Sequence, residues 1–377
     1  MANVSGAVGL VQSVLGDSAT FGGAPTLENT TASIQAIGKF LNEYTPRLNE
    51  FINSLVDRIG ETIYRTLYYE DPWKFMDKGQ LRYGATVYEI YTMMQNAAPF
   101  APSRSMTAAQ IAESELKNEN PTAYTEFHAV NSRIKYKVTV NQDLLETAFL
   151  DEASLNAFIQ NIVNQIYTPA YYDSLIMKKY VLYLLIKGNK LKKIQTTAVT
   201  DEATGKKFIK AVKNVLGKMK FISKDYNIAG VPMASNAGDM YVIKTVDVSS
   251  STDVDVLASA FNLDKVEFMG HQVDIDSFAL NEYEVERLCW IMTGSEDGSS
   301  VSVGGDSTFT PPTVDDPDLA AVQAVVMTKD FMQIYDKLDE LREFDLGSTL
   351  DRNYWHHVWR IYSASPFENV AYFSSKT

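Results

Sequence analysis

The chain has 377 residues, 45% of them hydrophobic and 11% aromatic, which allows one large domain or two to three smaller ones and excludes a disordered chain. Thirty-four basic residues stand against 47 acidic ones, and a net charge of −13 argues against a surface that wraps a phosphate backbone tightly. The single cysteine, Cys289, excludes an intrachain disulfide and points to a reducing place of synthesis.

Residues 1–30 are small and polar, with Gly6, Gly9, Gly16, Gly22 and Gly23. They read as a flexible arm without a core of its own, either disordered or ordered by a neighbouring subunit. Met1-Ala2-Asn3-Val4 carries no basic region, so no secretory signal is expected, and no apolar run is long enough to span a bilayer. Leu48, Phe51, Ile52, Leu55, Val56, Ile59 and Ile63 recur at helical spacing behind Pro46 and predict an amphipathic helix. In Trp73-Lys74-Phe75-Met76-Asp77-Lys78-Gly79-Gln80-Leu81-Arg82-Tyr83-Gly84, the Asp-Lys-Gly centre between apolar flanks predicts a turn joining two strands. Residues 96–120 read as loop, bounded by Pro99, Pro102 and Pro121, in either a long projecting hairpin or a folded surface loop.

Ile134, Tyr136, Val138 and Val140 alternate with Arg133, Lys135, Lys137 and Thr139, the period-two pattern of a half-buried strand with a basic outer face. Such a face meets nucleic acid, solvent or acidic neighbours. Leu155, Phe158, Ile159, Ile162, Val163 and Ile166 predict a long helix capped by Ser154, interrupted or kinked at Pro169 and continuing to Gly188. Phe208, Ile209, Val212, Val215, Leu216 and Met219 predict another helix, with a lysine-rich outer face. Strands are expected at 240–246, 273–275, 285–292, 324–327, 331–338, 354–362 and 369–373, with a short helix at 253–261 capped from Ser or Thr before Asp253. Residues 294–318 are rich in Gly, Ser, Asp and Pro and predict a long surface loop. The class is α+β.

Chemistry leaves no trace. The nearest approach to a phosphate-binding loop, Gly205-Lys206-Lys207, has Thr200 where the first glycine should stand and Lys207 where Ser or Thr should. There is no nucleophile elbow and no zinc helix. His356 and His357 are adjacent in a predicted strand, so they point to opposite faces and are poorly placed to share a metal. Asp253 with Asp255, and Asp274 with Asp276, lack the glycine and distal glutamate of a calcium loop. No catalytic, cofactor-binding or metal-binding residue is assigned.

The order of parts, from arm and helix through hairpin, basic strand and long helix to a second domain and returning strands, resembles the tailed-phage capsid proteins of the Hong Kong 97 type. Local sequence narrows the resemblance. Phe51-Ile52-Asn53-Ser54-Leu55-Val56-Asp57-Arg58-Ile59-Gly60, the run from Lys78 to Tyr91, the run from Asp253 to Asn262 with Phe268-Met269-Gly270, Lys329-Asp330-Phe331-Met332-Gln333-Ile334-Tyr335-Asp336 and His357-Val358-Trp359 are similar, in one order, to segments of major head proteins from short-tailed phages of the phi-29 group. Residues 294–318 depart from that pattern as an expanded loop, and the end at Thr377 falls too soon for the C-terminal immunoglobulin-like domain that some relatives carry.

The resemblance implies an N-terminal arm and helix at 1–66, an extended hairpin loop at 67–130 and a peripheral domain with a spine helix at 131–191. It further implies an axial domain at 192–328, returning peripheral strands at 329–365 and a terminal axial strand at 366–377. It implies a non-enzymatic subunit that assembles with itself as pentamers and hexamers into an icosahedral head around double-stranded DNA, bound without sequence specificity. A scaffolding protein and a portal are its implied partners and the virion its place, after synthesis in the host cytoplasm; neither a membrane nor a cofactor is involved. A compartment shell of the same fold is the alternative. Trp73, Phe75, Tyr83 and Tyr88 are the expected inter-subunit contacts, rings that burial against a neighbour would reward.

Overall fold

The computed structural model describes residues 11–12, 14–16, 21, 24, 31–42, 51, 54, 71–81, 84, 86–97, 106–115, 120–141, 152–255, 271–296, 298, 309–346 and 351–376. Two sheets organise them. The first has the order β1-β9-β10-β4, built from β1 (Asp77–Gln80), β9 (Met332–Leu346), β10 (Asp351–Ala364) and β4 (Ser132–Asn141). β9 and β10 run antiparallel along their whole length, from Asp351 opposite Leu346 to Ala364 opposite Met332. In β10 the side chains of Tyr354, His356, Val358 and Arg360 are buried while Trp355, His357 and Trp359 are half-buried, the alternation of a sheet with one covered face. A helix of 36 residues, α3 (Glu152–Lys187), covers that face, and Tyr136 donates to Asp173 on it at 2.7 Å. The helix runs unbroken through Pro169, and Ser154 lies inside it rather than at its cap.

The second sheet has the order β5-β11-β8-β6-β7, from β5 (Lys192–Gln195), β11 (Val370–Ser374), β8 (Val322–Thr328), β6 (Met240–Thr245) and β7 (Gln272–Ile275). Every residue of β8 and β11 is buried, which requires cover on both faces. On one face α4 (Glu202–Met219) lays Phe208, Val212, Val215 and Met219 against Ala324, Val326, Ala371 and Phe373. On the other, Leu182 and Ile186 of α3 join Leu288 and Cys289 of α6 (Glu282–Thr293) against Val325, Met327, Val370 and Tyr372. That second core continues through Trp73, Met76, Phe331 and Ile334 to the first sheet, so one hydrophobic mass ties the two sheets together.

Five expectations are corrected. Asp77-Lys78-Gly79 is no turn: β1 is an edge strand running parallel to β9, and Gly79, at φ +89°, sits where the register shifts between Asp77 and Gln80. A glycine at positive φ supplies a bulge as readily as a turn. Residues 285–292 are helical. The apolar run does not separate strand from buried helix, but the ends do: Asn281 accepts from Glu284 N at 2.9 Å, Glu284 accepts from Asn281 N at 3.1 Å, and Gly294 closes the helix in the left-handed conformation. Of the helix expected at 253–261 only Asp253 to Asp255 are described, and they end α5 (Val246–Asp255), which begins where β6 ends and puts Ser249 to Thr252 inside a helix rather than at a cap. The loop at 96–120 contains α2 (Ala108–Glu115), started by reciprocal hydrogen bonds between Thr107 and Gln110. Lastly, Val11, Val14 and Phe21 of the arm are buried, as are Ile34, Ile37 and Leu41 of α1 (Thr31–Asn42), and the rings of Phe21 and Phe51 meet edge-on at 6.2 Å. Most of the helix expected around Leu48 to Ile63, and residues 297 and 299–308 of the 294–318 loop, lie outside the described residues.

Candidate assembly surfaces

The hairpin consists of β2 (Thr86–Thr92) and β3 (Ala123–Ala129), paired antiparallel from Thr86 opposite Ala129 to Thr92 opposite Ala123. Residues directly opposite share a face, so the register sorts the ribbon into two. One face carries Val87, Glu89, Tyr91, Tyr124, Glu126 and His128, and it is the one tied to the body. His128 is buried, with Nδ1 2.7 Å from Ser363 Oγ and Nε2 3.3 Å from Glu89. Ser365 donates to the other Glu89 oxygen at 2.7 Å, and Tyr91 stacks on Phe367 at 5.5 Å while its hydroxyl donates to the Pro232 carbonyl. At the root, Asn131 exchanges two hydrogen bonds with the backbone of Tyr362, donating at 2.7 Å and accepting at 2.9 Å.

The opposite face is Thr86, Tyr88, Ile90 and Thr92 beside Ala123, Thr125, Phe127 and Ala129. All eight are exposed and none is charged. Tyr88, Ile90 and Phe127 are 62%, 67% and 59% exposed, and Tyr88 meets Phe127 edge-on at 4.9 Å. A contiguous uncharged ribbon with three large side chains in water has the composition of an interface.

The four expected contact residues therefore separate. Tyr88 stands on the exposed ribbon face. Trp73 is fully buried in its own chain, and its surface is already spent there. Phe75, half-buried, stacks on Tyr241 at 4.0 Å. Tyr83 lies outside the described residues. Ile90 and Phe127 escaped the sequence reading. The alternation Tyr88-Glu89-Ile90 was visible, but β3 is exposed on both sides almost throughout and offers no period to read.

Trp73 is held where it is by a buried ion cluster. Lys178 of α3, with no exposure, reaches Asp71 at 2.5 Å, Asp77 at 2.7 Å and the Trp73 carbonyl at 3.2 Å. Burial pushes the Asp77 carboxyl up, against the opposing pull of Lys178. Beside it Lys179 meets Glu284 at 2.7 Å and Asp276 at 3.1 Å. The basic outer face of β4 is paired within the chain: the Arg133 guanidinium lies 5.0 Å from the Trp359 ring, and the Lys135 and Lys137 ammonium groups lie 5.0 and 5.3 Å from that of Trp355. His356 faces α3 and binds Asp339 at 2.6 Å, whereas His357 is on the outer face. Among the described residues there is no group of three or more His, Cys, Asp or Glu that could hold a metal, and no helix long and apolar enough to cross a membrane.

The profile of the family described as Phi29-like phage major capsid protein matches residues 12–374. The chain belongs to that family. Major capsid proteins of Bacillus phage GA-1 and Bacillus phage PZA are 28% and 30% identical to it over 86% and 87% of its length. The chain spans 60% of the length of the first and 64% of the second. Among solved structures, a chain in the structure of the head fiber and inner core protein gp22 of native bacteriophage P68 has a TM-score of 0.56 at 16% identity, covering 80% of this chain and 84% of that one. A chain in the capsid structure of Staphylococcus phage Andhra gives 0.55 at 16% identity, covering 81% and 84%. The fold is thus the tailed-phage capsid fold, α+β as the sequence pattern implies.

Proposed function

We propose that copies of this chain assemble as pentamers and hexamers into the icosahedral head that encloses a phage double-stranded DNA genome, and that the chain does no catalysis. Its membership of a major capsid protein family across residues 12–374 carries this reading. The first sheet with α3 serves as the peripheral domain and α3 as its spine, the second sheet as the axial domain, and residues 1–66 as the arm. A scaffolding protein and a portal act as partners during assembly, DNA is enclosed without sequence-specific contact, and the virion head is the protein's place after synthesis in the host cytoplasm.

In this reading the exposed ribbon face of β2 and β3 lies across a neighbouring subunit. Tyr88 keeps its role as a contact and Tyr83 remains a candidate, while Ile90 and Phe127 join them. Burying three such side chains contributes roughly 1.5–3 kcal/mol each before the losses of association, and a shell repeats that contact many times. The test is to express the full chain with and without the scaffolding protein of its phage, then examine the product by negative-stain microscopy and sedimentation. Closed shells are expected; a protein that stays monomeric under every assembly condition defeats the proposal.

A further inference from the structure

The chain's charge is unevenly distributed. Residues 190–224 hold ten lysines and two carboxylates, a net of +8, which leaves −21 for the remainder of a chain whose total is −13. Both carboxylates, Asp201 and Glu202, stand at the start of α4, so that from Ala203 to Lys224 there are seven lysines and no acid. The buried stripe of α4 faces the second sheet. Lys207, Lys210 and Lys218 stand exposed on its other side at spacings that keep them along one row with Asn214, and Lys206 stands exposed beside that row.

The row ends on an apolar pair. Phe221 is 74% exposed and Ile222 63%, adjacent to each other and flanked by Lys218, Lys220 and Lys224. This is no frayed end. Phe221 N donates to the Lys218 carbonyl at 3.1 Å, Ser223 and Met233 exchange two backbone hydrogen bonds at 3.0 Å, and Met219 and Tyr226 on either side are buried. Two large apolar side chains are therefore held in water, in a fixed place, with lysines on both sides of them along the chain and Asp225 next after Lys224.

Phosphates account for the lysines and leave the apolar pair without a role. A protein segment accounts for both. An amphipathic helix docks its apolar side chains on an apolar spot, and its flanking carboxylates meet the lysines, which raises the encounter rate and fixes the register. We infer that α4 and the turn after it form a docking face for an acidic amphipathic segment of a partner protein, with Phe221 and Ile222 under its apolar side chains and Lys207, Lys210, Lys218 and Lys224 against its carboxylates. The inference does not depend on the hairpin contact proposed above.

The test uses the purified full chain and fluorescence anisotropy with a labelled synthetic helix of about 18 residues, roughly five turns, of alternating Leu and Glu faces. Three controls accompany it: the same peptide with Ser for Leu, a short DNA duplex of equal charge, and vesicles containing phosphatidylserine. The Leu/Glu peptide should bind, weaken as salt rises, and lose at least about tenfold in affinity both in Phe221→Ser/Ile222→Ser and in Lys207→Glu/Lys210→Glu/Lys218→Glu, with each control at least about tenfold weaker. The inference is overturned if DNA or vesicles bind as tightly as the peptide, if Phe221→Ser/Ile222→Ser leaves peptide binding unchanged, or if that variant abolishes shell assembly while the wild type binds no peptide. The last result would assign the face to a second copy of the chain.

Discussion

Lys178 has no contact with water, yet each of its three ammonium protons has an acceptor, in Asp71, Asp77 and the Trp73 carbonyl. Removing the cation leaves the buried Asp71 carboxylate without its partner, beside the partly exposed carboxylate of Asp77, and breaking a buried pair in this way costs about 3–5 kcal/mol. Lys178→Met should lower the unfolding free energy by that amount in urea titrations. Adding Asp77→Asn should return part of the loss, because the uncompensated charge rather than the missing contact dominates; a Lys178→Met loss under about 1 kcal/mol would mean that the cluster is not a tie. Glu368 offers a test with the opposite sign. Burial, followed by the charges of Asp330 and Glu89, outweighs the hydrogen bond from Thr328 and holds its carboxyl above the ordinary value. A carboxyl raised on folding favours the folded state below its unfolded value, and that contribution is lost as the pH rises through the folded value. At neutral pH the ionised side chain is therefore a burden. Glu368→Gln, which still accepts from Thr328, should melt higher than wild type at pH 7, with the difference closing as the pH falls through the carboxylate range. A difference independent of pH would exclude the charge as its cause.

Elements were legible where one face is buried and the other is not. α4, β4 and β10 have that contrast, and their sequence periods place them within a few residues, whereas β9, expected to end at Leu338, runs on to Leu346 through Asp339, Arg342, Glu343 and Phe344, which are exposed. Complete burial did not by itself defeat the reading, since β8 and β11 lie within two residues of the expected strands; it failed at α6, at β1 and on the ribbon, each for its own reason. α6 presents Leu288-Cys289-Trp290-Ile291-Met292, an apolar run without a period, so strand and helix could be separated only by its ends. Asn281 with Glu284 and the closing Gly294 were in the sequence all along. Asn281→Ala should cost about 1 kcal/mol in thermal or urea unfolding, since Glu284 N would lose its acceptor; no loss would mean that packing alone holds the helix start. β1 failed for a different reason. Its neighbour is β9, some 250 residues later, and nothing local separates a glycine at a bulge from one at a turn. The ribbon face of β2 and β3 was half visible, because Tyr88 was singled out while Phe127 lies in a strand with no hydrophobic contrast. Trp73 misled for the opposite reason, since a large ring near a predicted turn reads as exposed until long-range packing from α3 covers it.

At the scale of the whole molecule, the proposed assembly contact and the subunit's own stability fall on different residues a short distance apart along the chain. Trp73 belongs to the mass that joins the two sheets, whereas Tyr88, Ile90 and Phe127 belong to a ribbon held to the body only by its other face. The two roles should therefore be separable by mutation. Trp73→Ala should lower the unfolding free energy by about 3–5 kcal/mol, as truncating a buried aromatic ring does, and should cut the yield of folded protein before any assembly step. Tyr88→Ser/Ile90→Ser/Phe127→Ser takes three side chains already in water and replaces them with one that water solvates well. Unfolding of the isolated subunit should shift by no more than about 0.5 kcal/mol per site, because surface changes away from caps and cores are small. Shell formation, followed by light scattering and microscopy, should nevertheless fail, because every copy in a closed assembly would lose the same contact at once. If the triple variant assembles normally, the ribbon is not an inter-subunit surface; if it unfolds, the ribbon contributes to the subunit's own stability.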